Sequence, residues 1–290
     1  MTTPTTAQAF TTLIDAPQLA GLLAGSSNTV VLDASFDLAD TAAGERRYAD
    51  AHIAASRYVH LDRDLSTAKT GTNGRHPLPE RAAFARTVAA LGIGEGTQVV
   101  ALDAQGGMYA ARLWWMLKWL GHDAAAVLDG GLAAWQAAGF TTASGPAPAR
   151  YDMAAPYPDR PSLVAMLDAD AVARRAPGQA VLDARAPDRF RGENETLDPV
   201  GGHIPDALNR FFRLNLEADG RFKPAATLRV EFEAVLGGRG AKDVIHSCGS
   251  GVTACHNLLA MTHAGLAGSV LYPGSWSEWS SDPARAVSRD

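Results

Sequence analysis

The sequence predicts an α/β protein built as two tandem domains, each a mainly parallel sheet flanked by helices. Three observations predict it. Short apolar runs alternate with helical periodicities. The same order of signals occurs twice, about half a chain apart. A stretch from Ser144 to Pro161 with five prolines and little periodicity divides the copies. The expected boundaries are a first domain over 8–144, a linker over 145–161 and a second domain over 162–290.

Each copy opens with an apolar run that stops at aspartate, Thr29-Val30-Val31-Leu32-Asp33 and Ala180-Val181-Leu182-Asp183, the two aspartates 150 residues apart. A strand that ends at Asp is a common turn start. His52-Ile53 follows the first and His203-Ile204-Pro205 the second, after 19 and 20 residues. A helix is expected next, on Phe84, Val88 and Leu91 in one copy and Leu228, Phe232, Val235 and Leu236 in the other. Pro79 and Pro224 precede these helices, and Gly92 and Gly237 follow them. Strands Gln98–Leu102 and Asp243–His246 then lead into a glycine-bearing loop and a long helix. Each copy closes on a strand and a glycine-rich turn into tryptophan, Asp129-Gly130-Gly131 before Trp135 and Pro273-Gly274-Ser275 before Trp276 and Trp279.

The 290 residues are 47% hydrophobic and 20% charged, enough to bury a sizeable core. A net charge of −5 without basic runs argues against nucleic acid and anionic membranes as partners. The first residues lack a basic n-region followed by an apolar core, and no apolar window reaches spanning length. Two cysteines seven apart are not a disulfide framework. The expectation is a reduced, cytoplasmic protein.

The chemistry points to Ile245-His246-Ser247-Cys248-Gly249-Ser250-Gly251-Val252-Thr253. With the strand ending near Ser247 and a helix starting near Val252 or Thr253, Cys248 opens a ring of backbone N–H groups at a helix N-terminus. Gly249 and Gly251 permit the close approach such a ring needs. Free amides and the helix dipole favour an anion there, so the Cys248 thiol is expected to be largely thiolate at neutral pH. Ser250 and Thr253 add hydroxyl donors. A phosphatase of the Cys-x5-Arg kind needs arginine where Ala254 stands. Cys248, Cys255, His246, His256 and His263 match no usual zinc spacing, so neither metal nor cofactor is expected. Aligning Ala110-Ala111-Arg112 with Ala254-Cys255-His256 sets Ala104 opposite Cys248, which leaves the first copy without a nucleophile.

Taken together, the tandem halves, His203-Ile204-Pro205, Asp183-Ala184-Arg185, Arg189-Phe190-Arg191-Gly192, the Cys248 loop and Gly274-Ser275-Trp276 resemble the two-domain rhodanese-type sulfurtransferases over nearly the whole chain. The Cys-Gly-Ser-Gly-Val-Thr loop resembles the 3-mercaptopyruvate sulfurtransferase branch. The thiosulfate branch typically has a basic pair where Gly249-Ser250 stands. The resemblance implies that Cys248 attacks the sulfur of 3-mercaptopyruvate, pyruvate leaves, and the Cys248 persulfide passes its outer sulfur to a thiol such as thioredoxin or glutathione, or to cyanide. It implies a Ser250–His76–Asp62 relay, with His76 and Asp62 supplied by the first copy. It implies Arg189 as the substrate-carboxylate arginine and Gly249, Gly251, Val252 and Thr253 as the loop that holds the substrate. Arg185 and Arg191 have salt-bridge roles as rivals. The branch's second arginine is missing between Gly192 and Gly202, and Arg210 or Arg213 could substitute. Thiosulfate as donor, or a non-catalytic persulfide carrier, are the alternatives.

Overall fold

The structure is a computed structural model that describes residues 9–25, 28–148, 151, 153 and 155–290. The expectations for the extreme N-terminus, for the start of the first domain at residue 8 and for part of the 145–161 linker lie outside the described residues.

The first half runs β1 (Leu13–Ile14), α1 (Ala16–Ala24), β2 (Thr29–Asp33), α2 (Ala43–Asp50), β3 (Arg57–Tyr58), α3 (Leu61–Asp64), α4 (Arg81–Ala90), β4 (Gln98–Leu102), α5 (Ala110–Trp119), β5 (Ala125–Leu128) and α6 (Gly131–Ala137). The second runs β6 (Ala165–Met166), α7 (Ala169–Ala173), β7 (Ala180–Asp183), α8 (Pro187–Phe190), β8 (Leu208–Asn209), α9 (Ala225–Leu236), β9 (Val244–Ser247), α10 (Thr253–His263), β10 (Val270–Leu271) and α11 (Ser275–Trp279), with 3-10 turns at Phe212–Asn215 and Ala241–Asp243. Two five-stranded sheets result, in the orders β1-β5-β4-β2-β3 and β6-β10-β9-β7-β8, every pairing parallel. Helices cover both faces, which is why the central strands show no alternation of buried and exposed positions: all of β4, β5, β7 and β9 is buried. The two-residue edge strands β1, β3, β6 and β8 carry too little sequence for periodicity to reveal them.

Local chemistry sets the helix ends. Asp15 and Gln18 form a reciprocal capping box at α1, and Gly237 takes the left-handed conformation that ends α9. The histidine repeat has a structural explanation. His52 stacks on Tyr48 and bonds its carbonyl at 2.7 Å, and His203 stacks on Phe190 and bonds its carbonyl at 2.9 Å. Both are folding struts.

Helices α5 and α10, which begin at the two loops, lie against each other between the sheets. Every residue of α5 is buried, as is Ala254–Met261 of α10. The apolar core is therefore continuous from one half into the other, from Val30 and Trp115 to Leu258 and Leu271. That contact presses the two loops toward one interface.

Candidate active site

Strand pairing corrects the alignment of the two loops. Asp33 pairs with Leu102, and Asp183 pairs with Ser247. Ala34 N–H donates to Leu102 O, and Ala184 N–H donates to Ser247 O. Leu102 and Ser247 are thus equivalent strand ends, and Asp103, not Ala104, occupies the position of Cys248. The first loop is one residue longer, so aligning from the helix side shifts the register by one.

Asp103 reveals what such a loop holds. Its carboxylate accepts from the N–H groups of Gln105, Gly107, Tyr109 and Ala110 at 2.7–2.8 Å. Burial pushes this carboxyl up, and the four amides pull it back. In the second loop the N–H groups of Gly249 to Ala254 have no acceptor among the described residues. Both halves thus carry a loop of backbone amides at the start of a helix. One holds the Asp103 carboxyl, and the other, its amides unpaired, follows Cys248.

Cys248 is buried at the end of β9. Its N–H donates to Ser275 Oγ at 3.1 Å, and its carbonyl accepts from Trp276 N–H at 2.9 Å. Ser275 holds a left-handed φ of 54° and donates its hydroxyl to Tyr272 O. The Gly274-Ser275-Trp276 turn is therefore a clamp on the cysteine's backbone. Gly251, at φ +74°, lies where a Cβ would be 2.1 Å from Pro273 O.

Cys248 opens into a cavity of about 280 Å³, room for a small acid, lined by Gly249, Ser250, Val252 and Thr253 and, from the first half, by Arg75, His76 and Tyr109. His76 Nδ1 lies 2.8 Å from Ser250 Oγ across the interface. Burial first, then the charges of Arg112, Arg75 and Lys69, push the His76 imidazole down to about 3, so it is neutral at physiological pH. Asp62 approaches less closely: its Oδ1 is 3.8 Å from His76 Nε2, beyond hydrogen-bond range, and 3.5 Å from Lys69 Nζ.

Two guanidinium groups flank Gly249. Arg189 Nη2 donates to both oxygens of Glu195, at 2.8 and 2.9 Å, while its Nε has no partner. Arg75 pairs with Asp198 and leaves its own Nε without a partner. A Cβ on Gly249 would lie 2.7 Å from Arg75 Nη2 and 3.7 Å from both terminal nitrogens of Arg189. Sequence reasoning missed Arg75, whose signal was adjacency to His76. Of the substitutes expected for the second arginine, Arg213 lines the cavity. Arg210 does not, because Glu231 and Asn215 hold it. Arg185 is paired to Asp183 beneath Trp276, and Arg191 to Glu193 at the surface.

His246 is bonded to Ser269, His256 to Gly106 O and His263 to Thr12, and no metal-holding group of three or more ligands occurs among the described residues. Burial pushes His246 down to about 3 and His256 to about 4. With His76, three histidines are neutral in the native state and take up protons from 6.5 downward once unfolded. The unfolded chain binds more protons, so stability falls as pH drops below 6.5 toward 4. Each contributes about 2 kcal/mol of that loss by about pH 5. Urea unfolding at pH 7.5, 6 and 5 is expected to show the decline, and flat stability to pH 5 would contradict it.

Fold and site together define a tandem domain pair with a buried cysteine at the head of a glycine-bearing loop in the second copy and interface residues from the first. The rhodanese-like domain model matches residues 15–138 and 162–282, and the chain belongs to that family. A probable 3-mercaptopyruvate sulfurtransferase of Pseudomonas aeruginosa is 45% identical over 279 residues, covering 95% of this chain and 97% of that protein. The thiosulfate sulfurtransferase of Bos taurus is 32% identical, with 86% of this chain and 84% of that one covered. The solved 3-mercaptopyruvate sulfurtransferase from Leishmania major superposes with a TM-score of 0.82 at 31% identity, covering 93% of this chain and 74% of that one. No described helix is long and apolar enough to cross a membrane.

Proposed function

We propose that this chain is a 3-mercaptopyruvate sulfurtransferase that works through a Cys248 persulfide. The observation that carries the reading is the loop of unpaired amides that follows Cys248, whose counterpart in the first half binds the Asp103 carboxyl. An environment that stabilises a buried carboxylate by four N–H bonds suits a thiolate and then a persulfide anion.

In the first half-reaction the Cys248 thiolate attacks the donor's sulfur. An S–S bond forms, the C–S bond breaks, and its electron pair becomes the enolate of pyruvate, which then takes a proton. Arg189 and Arg75 hold the donor's carboxylate with the N–H groups their own partners leave unused. Ser250, bonded to neutral His76, stands by the developing enolate and relays the proton. Asp62 assists through its charge, at a distance that excludes a direct bond. A thiol acceptor then takes the outer sulfur and regenerates Cys248, a ping-pong cycle. Thioredoxin and glutathione are such thiols, which a reducing cytoplasm supplies, and cyanide takes the same sulfur as thiocyanate. The domain boundaries that suit this reading are 8–144 and 162–290, with the cysteine-bearing copy second.

Thiosulfate remains a second reading, favoured by one observation. Gly249 and Ser250 bring no charge, yet Arg75 and Arg189 place two cations beside them, enough to receive a dianion. Initial rates with each donor, using cyanide as acceptor, decide between them. A preference for 3-mercaptopyruvate is expected, and faster thiosulfate turnover would reverse the assignment. Arg75→Gln and Arg189→Gln are each expected to raise KM for 3-mercaptopyruvate about 10- to 100-fold, with smaller effects on kcat, the loss of one charge-assisted contact. Unchanged KM in both would remove the carboxylate role.

A further inference from the structure

Three arginines are buried among the described residues: Arg112, Arg185 and Arg210. Arg185 is paired with Asp183 and Arg210 with Glu231. Arg112, on α5 of the first half, has no carboxylate. Its Nη1 donates to Gly251 O at 3.1 Å and its Nη2 to His76 O at 3.1 Å, while Nε is unpartnered. A buried guanidinium stays charged, and leaving it without an anion is costly. Burial works against its charge and pushes the guanidinium down, and the groups whose charges oppose that are Cys255 first and then Cys248. Cys255 gives its S–H to Gly251 O, and burial pushes its thiol up to about 12, so it stays neutral. Of the two sulfurs, Cys248 is the one left to balance Arg112.

The other cations facing Cys248 already have partners or lie in solvent. Arg185 and Arg189 in the second half and Arg75 in the first are held by Asp183, Glu195 and Asp198. His76 is neutral, and Arg213 is exposed at the cavity mouth. The two halves offer an internal contrast. His256 of α10 makes the reciprocal reach, its Nε2 3.0 Å from Gly106 O of the first loop. The strut is the same. A neutral ring serves the loop that holds Asp103, and a fixed cation serves the loop whose cysteine must ionise.

We infer that Arg112 is a positioning residue of the catalytic loop and the fixed counter-charge for the Cys248 anion, delivered by the half that carries no cysteine. The inference rests on Cys248 being the nucleophile. The test uses iodoacetamide on the full chain, needs no sulfur donor, and locates the adduct by mass spectrometry. In wild type, Cys248 is expected to alkylate readily at about pH 6.5. In Arg112→Gln the rate there is expected to fall about tenfold, and to match wild type at about pH 9, above the ordinary cysteine range. Arg112→Lys restores the charge and should return the low-pH rate to within about threefold. His256→Gln, which breaks the reciprocal strut, should leave the ratio of the two rates unchanged.

Equal losses at both pH values, wild-type behaviour of Arg112→Gln, or the same pH-dependent loss in His256→Gln would each overturn the inference and leave Arg112 as interface packing. If Arg112→Gln does not fold, Arg112→Lys decides: a wild-type ratio of rates supports the counter-charge, and a shifted one sinks it. Wild-type Cys248 that resists alkylation at both pH values would instead sink the nucleophile reading itself.

Discussion

Cys248→Ala is expected to abolish sulfur transfer, with thiocyanate formation reduced at least about a thousandfold while the fold is retained. The substitution removes a single buried sulfur atom, a cost of about 1 kcal/mol that the fold tolerates. No other thiol can take over. Cys255 packs against Gly251 O under the loop, and burial pushes its thiol up to about 12, so at neutral pH it offers almost no thiolate. The decisive measurement is intact mass after exposure to 3-mercaptopyruvate without acceptor. Wild type should gain one sulfur atom, lost again on adding a thiol, and Cys248→Ala should gain none. A mutant that still takes up sulfur, or a wild type that turns over without ever carrying it, would remove the persulfide from the mechanism.

Gly251→Ala is expected to do nearly as much damage by a different route. The added Cβ would meet Pro273 O at 2.1 Å, and the residue holds φ at +74°. Neither contact can relax cheaply, because the obstacle is backbone and the conformation disfavours every L side chain. Gly251 O also receives Arg112 and the Cys255 S–H, so a shifted loop loses both bonds together. A loss of about 2–4 kcal/mol in unfolding free energy is expected, with activity down more than about a hundredfold from misplaced amides. Urea unfolding with initial rates tests both. Gly21→Ala, in a helix with open space around it, is the matched control: activity should not change, and stability should rise by up to about 1 kcal/mol. A Gly251→Ala enzyme within about threefold of wild type would mean that the amide ring contributes little.

The sequence by itself determined the repeat, the central strands and the Cys248 loop, because these depend on near neighbours. Apolar runs of two to four residues mark β2, β4, β7 and β9, central strands buried along almost their whole length. Cys248, Ser250 and both loop glycines lie within four consecutive positions, so their chemistry could be read before any fold was known. The tertiary structure alone decided what crosses the interface. His76 and Ser250 are 174 residues apart and meet at 2.8 Å because α5 and α10 pack face to face. Arg75 reaches Gly249, and Arg112 reaches Gly251 O 139 residues away, and no periodicity or spacing carries such distances. The place of Asp103 was hidden for a related reason. One extra residue in the first loop breaks the alignment, and only the strand pairing of Leu102 and Ser247 restores it. Local pattern fixes which residues can do chemistry. The docking of two halves around a buried helix pair fixes which charges and hydroxyls they do it with.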